Sequence, residues 1–567
     1  MKRESFKKVI ALALSAVMAW GLVACGMPMG GSSSKESGSS SSESFSSLDE
    51  SSSSKGGASS SLFESSFDFS SSEDSSSDSS SFDSSEDSSE NSSSDSSENS
   101  SENSSSDSSS DSSEKPSSPG GEVTPQGAVP YDGSEVTITF YHTMGANLRS
   151  VLDRYIPKFN ELYPNITVEH DMMGDYPALR DQIATELIGG RAPSLAYCYP
   201  DHVALYKKAK VVLPLDDYIA STDLITLGNG NTETMGFSQA QLDDFIPAFY
   251  EEGRVYGDDK MYTLPFLRST EVLYYNKTFF EKYDLTVPTT WDEMEVVCKK
   301  IKAIDNNCVP LGYDSEANWF ITMTQQLNTP YITATGDYPF LFNTPENRAF
   351  VERFTGWYQK GYVTTEEIYG GYTSSLFTET NPNGMKCYMC IASSTGASYQ
   401  RPDLGSDDKY PFEVGVEMIP QAKPEAPAVI QQGPSVCLFK KSNPQEQAAA
   451  WLFAKFLTTN VELQAQFSMT SGFTPVIKSA TEHPVYQDFL SKADGNEYLQ
   501  AACIKQALAQ QNAYFILPGF EEASGARNEV LDLMVNCFTK APKEGAAAFI
   551  ERQFKNTVDN LLYDYGY

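Results

Sequence analysis

Between Ser32 and Ser118 the chain is dominated by serine, interspersed with Asp, Glu and Asn, a few Lys and Gly, and isolated apolar residues such as Phe63, Phe67, Phe69 and Phe82. Such a run contributes nothing to a core. Its low hydrophobicity and repeated charge cannot offset the entropy of ordering, so it is expected to be a disordered, self-repelling tether. It holds 19 acidic and 3 basic residues, close to half of the formal net charge of −35. The acidity is therefore a matter of extension and solubility, and it argues against nucleic acid or an anionic membrane surface as a partner. A flexible chain of this length reaches on the order of 50 Å. Whatever folds must be built from about Ser134 to Tyr567. That region is rich in aromatic residues, shows no internal repeat, and has no apolar run long enough for a membrane-spanning helix. It suffices for two ordinary domains or one large two-lobed protein.

The start of the chain has its own signature. Lys2, Arg3, Lys7 and Lys8 precede an apolar stretch from Val9 to Leu22, and Leu22-Val23-Ala24-Cys25 closes it. This matches a bacterial lipobox, with residues 1–24 as the signal peptide and Cys25 as the lipidated N-terminus of the mature chain. The alternative is an ordinary signal peptide with a chance cysteine. The lipobox predicts residence at the cell membrane, lipid-anchored on its extracellular face. Residues 25–133 then form the lipidated cysteine and its tether.

The other eight cysteines are irregularly spaced. Cys298 and Cys308 bracket a helix end and a turn, where a bridge is possible, but buried free thiols are the expectation for the set. His142, His170, His202 and His483 show no ligand spacing, so no metal or other cofactor is expected.

Periodicity in the folded region alternates strand and helix. Val136, Ile138 and Phe140 alternate with threonines, and Leu148, Val151, Leu152, Tyr155, Ile156, Phe159 and Leu162 then recur at helical spacing behind a possible cap at Asn147. Pro164 ends that helix and Ile166 to Val168 reads as the next strand. Thr290-Trp291-Asp292-Glu293 is a capping box ahead of Met294, Val297, Ile301 and Ile304, and Asn443-Pro444 opens another helix. Short apolar runs at Val272–Tyr275, Cys387–Ile391, Phe412–Met418 and Ser435–Phe439 read as strands. The pattern is that of an α/β protein with largely parallel sheets.

The order of several fragments resembles family 1 of the extracellular solute-binding proteins of ABC importers, the maltose and glycerol-phosphate type. They are Phe159-Asn160 with Tyr163-Pro164 and Ile166 to Glu169; Gly189 to Leu195; Leu213 to Asp216; and Leu264-Pro265-Phe266 followed by Leu273 to Lys277, Pro288 and Thr290 to Glu293. Ala392 to Gly396, Gly415-Val416 with Pro420, and Ser471 to Val476 complete the set. The resemblance implies a two-lobed periplasmic-binding-protein-like α/β fold of type II with a ligand cleft between the lobes. It implies one lobe from 134–268 plus 420–470, and another from 269–419 plus 471–567.

Ligand contacts follow from the same resemblance. Tyr141 and His142 end the first strand, where the family faces its cleft, although His142 capping a loop is an equal alternative. Tyr176 matches an aromatic contact, and Asp201 falls, displaced by one residue, where a carboxylate-bearing loop stands. Ser269 and Ser394 match hydroxyl or backbone donors, and Gly433 precedes a crossing strand and permits close approach. Trp319 and Phe473 offer flat faces on which a sugar ring can pack, with a place in the core as their alternative. The implied partners are a mono- or oligosaccharide and the membrane permease of the importer, with the binding protein itself a monomer. A glycerol-phosphate-type ligand would need a basic residue in the C-terminal region, but the corresponding stretch reads Leu517-Pro-Gly-Phe-Glu-Glu522, so Arg527 or Arg401 would have to substitute and a neutral sugar is the expectation. A surface sensor or adhesin on the same fold is the other reading. No catalytic motif is present, so an enzyme is not expected.

Overall fold

The computed structural model describes residues 127–334 and 338–567. The proposed signal peptide, Cys25 and the serine-rich run lie outside the described residues.

Strand β1 (Val136–His142) buries every second residue, Val136, Ile138, Phe140 and His142, as strand alternation requires. Helix α1 (Ala146–Leu162) then lays Val151, Leu152, Tyr155 and Phe159 onto the sheet. The helix begins just before the expected cap: Gly145 holds the cap position without a side-chain bond, and Asn147 lies inside the first turn. The chain continues through β2 (Ile166–Met172), α2 (Tyr176–Ile188), β3 (Leu195–Cys198) and α3 (Pro200–Lys208). A hairpin of β4 (Leu224–Thr226) and β5 (Thr232–Thr234) and then β6 (Thr263–Pro265) follow. The second half supplies β7 (Ser269–Asn276), β8 (Leu311–Tyr313), β9 (Val363–Thr365), β10 (Met389–Ser393), β11 (Val414–Glu417), β12 (Val429–Gln432), β13 (Ser435–Leu438) and β14 (Tyr514–Phe515).

These strands form two main sheets. The first runs β2-β1-β3-β13-β6, and the second β14-β12-β7-β10-β8-β9 with β11 also on β7. Pairing is parallel within β2-β1-β3 and β10-β8-β9, but β13, β6, β7, β11 and β12 make antiparallel pairs. The expectation of largely parallel sheets thus holds for the βα units and fails where strands cross between sheets. Each sheet has its own core. Phe140, Phe159, Leu195, Phe266, Trp451 and Phe453 pack in the first; Trp291, Trp319, Phe354, Trp357 and Met534 pack in the second. The Thr290–Glu293 capping box forms as read. Val429 and Ile430 sit in the second core, and Val476, Ile477 and Ala480 in the first. Divisions at 420 and 471 would have placed them the other way, because motif order does not record which sheet a strand finally joins. All eight described cysteines are free and buried, Cys298 and Cys308 included.

Arg268 stands where β6 leaves the first sheet for β7 in the second, and it is 1 % exposed. Its guanidinium donates to the carbonyls of Leu267 (3.0 Å) and Pro434 (3.0 Å) and to Ser435 Oγ (2.8 Å), and it pairs with Glu252 at 2.5 Å. Its backbone N–H donates to the Thr474 carbonyl (3.1 Å) and its carbonyl accepts from the Thr474 N–H (2.6 Å). One residue, through its side chain and its backbone, therefore ties the 268, 434 and 474 segments together at the crossing. Gly433 lies against the same point with φ +146°, and a Cβ there would stand 2.3 Å from the Leu267 carbonyl oxygen.

Candidate ligand-binding cleft

Strand carboxyl ends are where loops can converge on a ligand. In the first sheet, β1 leads into Thr143–Gly145, β2 into the turn before Tyr176, and β3 into Tyr199 and Asp201. In the second, β8 leads into Asp314 and the helix Glu316–Leu327, β9 into Glu366, and β10 into Ser394 and Thr395.

On the first side, Tyr176 and Tyr199 stack with ring centroids 4.1 Å apart, and the His202 ring lies 5.7 Å from that of Tyr199. Burial holds the phenol of Tyr199 up at about 12, so it is a neutral donor at any physiological pH. Asp201, in the first turn of α3, accepts from the hydroxyl of Ser524, which belongs to the helix Ala523–Lys540 of the second side. Lys208 also reaches Glu521 at 2.6 Å, so the two sides touch along this edge.

Facing them, Arg527 donates to the Asn318 side-chain oxygen, and the Asn318 amide donates to Gln432 Oε1 at 2.9 Å. The Arg527 charge acts on Tyr199 of the first side and on Tyr331 and Glu271 of the second. Glu271 is buried and accepts from Tyr313 OH at 2.6 Å. Desolvation pushes its carboxyl up to about 7 against the hydrogen bonds from Tyr313 and Asn318 and the charge of Arg527. The Tyr331 hydroxyl is buried without a hydrogen-bond partner among the described residues. Donors, acceptors and aromatic rings held in fixed orientations at low local dielectric are suited to a small polar ligand carrying several hydroxyls. An open cavity of about 370 Å³ is lined by Gly145–Leu148 after β1, Thr395 after β10, and Thr470, Ser471 and Phe473. Among the described residues no group of three or more His, Cys, Asp or Glu is placed to hold a metal ion.

Matches to known proteins now decide the class. A sequence profile described as bacterial extracellular solute-binding protein matches residues 154–491. This chain belongs to that family. Among its relatives, the solute-binding protein is 24% identical over 381 residues to the sn-glycerol-3-phosphate-binding periplasmic protein UgpB of Escherichia coli K12, covering 63% of this chain and 78% of the relative. Its fold is similar to that of the cyclic alpha-maltosyl-1,6-maltose binding protein from Arthrobacter globiformis, with a TM-score of 0.57, 16% identity, 75% of this chain and 100% of the other. UgpB from Mycobacterium tuberculosis, solved with glycerophosphocholine, is similar with a TM-score of 0.56 and 18% identity, covering 75% and 99%.

The solute-binding protein disposes the residues singled out from its sequence unevenly. Tyr176 stacks on Tyr199 and Asp201 accepts from Ser524 at the carboxyl ends of the first sheet's strands, and Phe473 lines the open cavity. Ser269 and Ser394 are buried at the crossing: Ser269 Oγ donates to the Gln432 carbonyl at 3.1 Å, and Ser394 Oγ accepts from the Thr270 N–H at 3.3 Å. Gly433 is a crossing glycine whose role is steric. Tyr141 turns away to donate to Glu186 at 3.3 Å. His142 is wholly buried below the cleft loop, which is the loop-capping alternative. Trp319 is not a surface platform: it is 0 % exposed, stacks on Tyr313 at 4.7 Å and packs at a tilt against Phe354 at 4.3 Å, backing the tyrosine that holds Glu271. Tyr199, Asn318, Gln432, Ser524 and Glu271 were not singled out, and Arg527 was named without a place. The strand-end rule signals Tyr199, but nothing local distinguishes Asn318 from its neighbour Trp319.

Proposed function

We propose that this protein is the capture subunit of an ABC importer for a carbohydrate, held on the outer face of the cell membrane by a lipid on Cys25. The observation that carries the reading is the cleft itself. A stacked tyrosine pair and Asp201 on one core face Asn318, Gln432 and Arg527 on the other, so one hydroxyl-bearing ligand can bridge both. The two lobes are best divided at the crossing, with 134–268 and 433–480 in one and 269–432 and about 510–567 in the other. Closure then follows as a population shift: a ligand touching both lobes stabilises the closed form, which docks on the permease as a monomer. The chain captures and delivers, and the ATP is hydrolysed by a separate subunit.

Tyr369, Tyr372 and Tyr399 are exposed at the strand-end rim of the second sheet, and they favour an oligosaccharide long enough to reach them. Arg527 favours a second reading, a glycerol-phosphate-type ligand such as those named for the UgpB relatives. A thermal-shift series with the mature chain separates these. At a hundred times its dissociation constant a true ligand adds about 2.7 kcal/mol. Maltotriose or another oligosaccharide shifting the transition supports the first reading; a shift only with sn-glycerol 3-phosphate or glycerophosphocholine replaces it with the second.

A further inference from the structure

Below the cleft loop the first lobe contains a chain of hydrogen bonds whose direction is fixed. The Met144 backbone N–H, which can only donate, reaches His142 Nδ1 at 3.1 Å. His142 therefore carries its proton on Nε2 and donates it to His170 Nδ1 at 2.9 Å. His170 then donates from Nε2 to Asp153 Oδ1 at 2.9 Å. His142 and Met144 are buried, while Asp153 lies at the surface of α1. The groups facing this chain are Arg149 and Asp153 from α1, His170 from β2, and the Tyr197 ring from β3. What the chain holds is the turn Thr143–Asn147. Thr143 lies beside the Tyr176 hydroxyl, and Gly145 to Asn147 line the open cavity.

Every ring nitrogen in the pair is already committed. A proton added to His170 turns its Nδ1 into a donor, so His142 must accept on Nε2 and move its own proton to Nδ1. Two donors, His142 Nδ1–H and Met144 N–H, then face each other in a buried place, and the Met144 N–H loses its acceptor. A proton added directly to His142 Nδ1 has the same result. We propose that His142 and His170 are positioning residues for the ligand-facing turn, a proton-sensitive latch that holds Thr143–Asn147 in place while both imidazoles are neutral and releases it when the pair takes up a proton. Its effect on ligand rests on the cleft reading above; the latch itself does not.

The test is nuclear magnetic resonance on the mature chain with ¹⁵N-labelled histidine, whose four residues give few ring signals, together with amide hydrogen exchange at Met144. At about pH 8, His142 is expected to be protonated on Nε2. On acidification from there, protonation of the pair should change the His142 tautomer and cost the Met144 amide about tenfold protection beyond the intrinsic pH effect, the worth of one hydrogen bond. His170→Gln can keep both hydrogen bonds without titrating, so its Met144 protection should stay level over that range; Asp153→Asn should move the midpoint down. His142 protonated on Nδ1 at pH 8, or Met144 protection that ignores the histidine titration, overturns the latch. With maltotriose as probe, affinity should weaken at pH 5 in wild type and not in His170→Gln. No maltotriose binding at pH 8 would count against the carbohydrate reading and leave the resonance result to decide the latch.

Discussion

Replacing Arg268 by Met probes the crossing most directly. The change keeps much of the aliphatic volume but removes the guanidinium that serves Glu252, Ser435 and the carbonyls of Leu267 and Pro434. Glu252 is then left buried with no counter-ion; burial already pushes its carboxyl up, and Arg268 is the main influence holding it down. Breaking a buried pair in this way costs about 3–5 kcal/mol, a large fraction of an ordinary stability of about 5–15 kcal/mol. The sign with pH follows. Without Arg268 the Glu252 carboxyl rises further above its unfolded value, so stability is lost as pH increases through the new folded value, and the deficit should be larger at about pH 8 than at about pH 5. Arg268→Met with Glu252→Gln carries no orphan charge and should recover about 1–2 kcal/mol. Urea unfolding followed by tryptophan fluorescence reads both, since Trp291, Trp319, Trp357 and Trp451 are all buried. A single-mutant loss under about 1 kcal/mol, or a double mutant no better than the single, would refute the view that this pair fastens the crossing.

Further outcomes are expected. Gly433→Ala should cost about 3–5 kcal/mol in the same assay, through a disfavoured φ and the contact with Leu267. Arg527→Gln and Asp201→Asn should each weaken ligand binding about tenfold or more in calorimetry, with the unliganded melting transition little changed. Trp319→Ala should lower stability by about 3–5 kcal/mol, because the indole is core. His142 is held down to about 3, by burial first and then by His170 and Arg149. Its neutral form therefore contributes stability that is present above the unfolded value and lost as pH falls. Between pH 6.5 and 5, wild type should lose about 2 kcal/mol more than His142→Gln.

Local signals in the sequence were enough for local structure. The alternation in β1, the capping box at Thr290 and the proline-led helix at Asn443 depend on neighbours only, and they form as read. The family was legible because its fragments occur in order. The cleft was less so. Trp319 and Asn318 are adjacent on one helix, and which of them meets Gln432 and Arg527 and which the core depends on the angle at which that helix lies on β8 and β12. Arg527 lies more than two hundred residues from Asn318 in the chain, and only folding brings them together. The division between cores failed to follow motif order for the same reason: β12 and β13 are separated by two residues yet belong to different sheets.

The buried thiols carry an experimental consequence. Cys198 and Cys437 lie in the first core, Cys298, Cys308 and Cys537 in the second, and Cys387, Cys390 and Cys503 in the packing around β7 and β10. Burial raises the thiols of Cys198, Cys298 and Cys390 among others, so a thiolate is scarce even where a reagent penetrates. The intact fold should therefore be silent towards an alkylating agent, and each labelled peptide becomes a dated record of which half of the molecule opened first. An engineered dye is unnecessary: on the proposed reading the wild-type chain distinguishes closing of the cleft, which should expose none of these sulfurs, from unfolding of a lobe, which exposes its own.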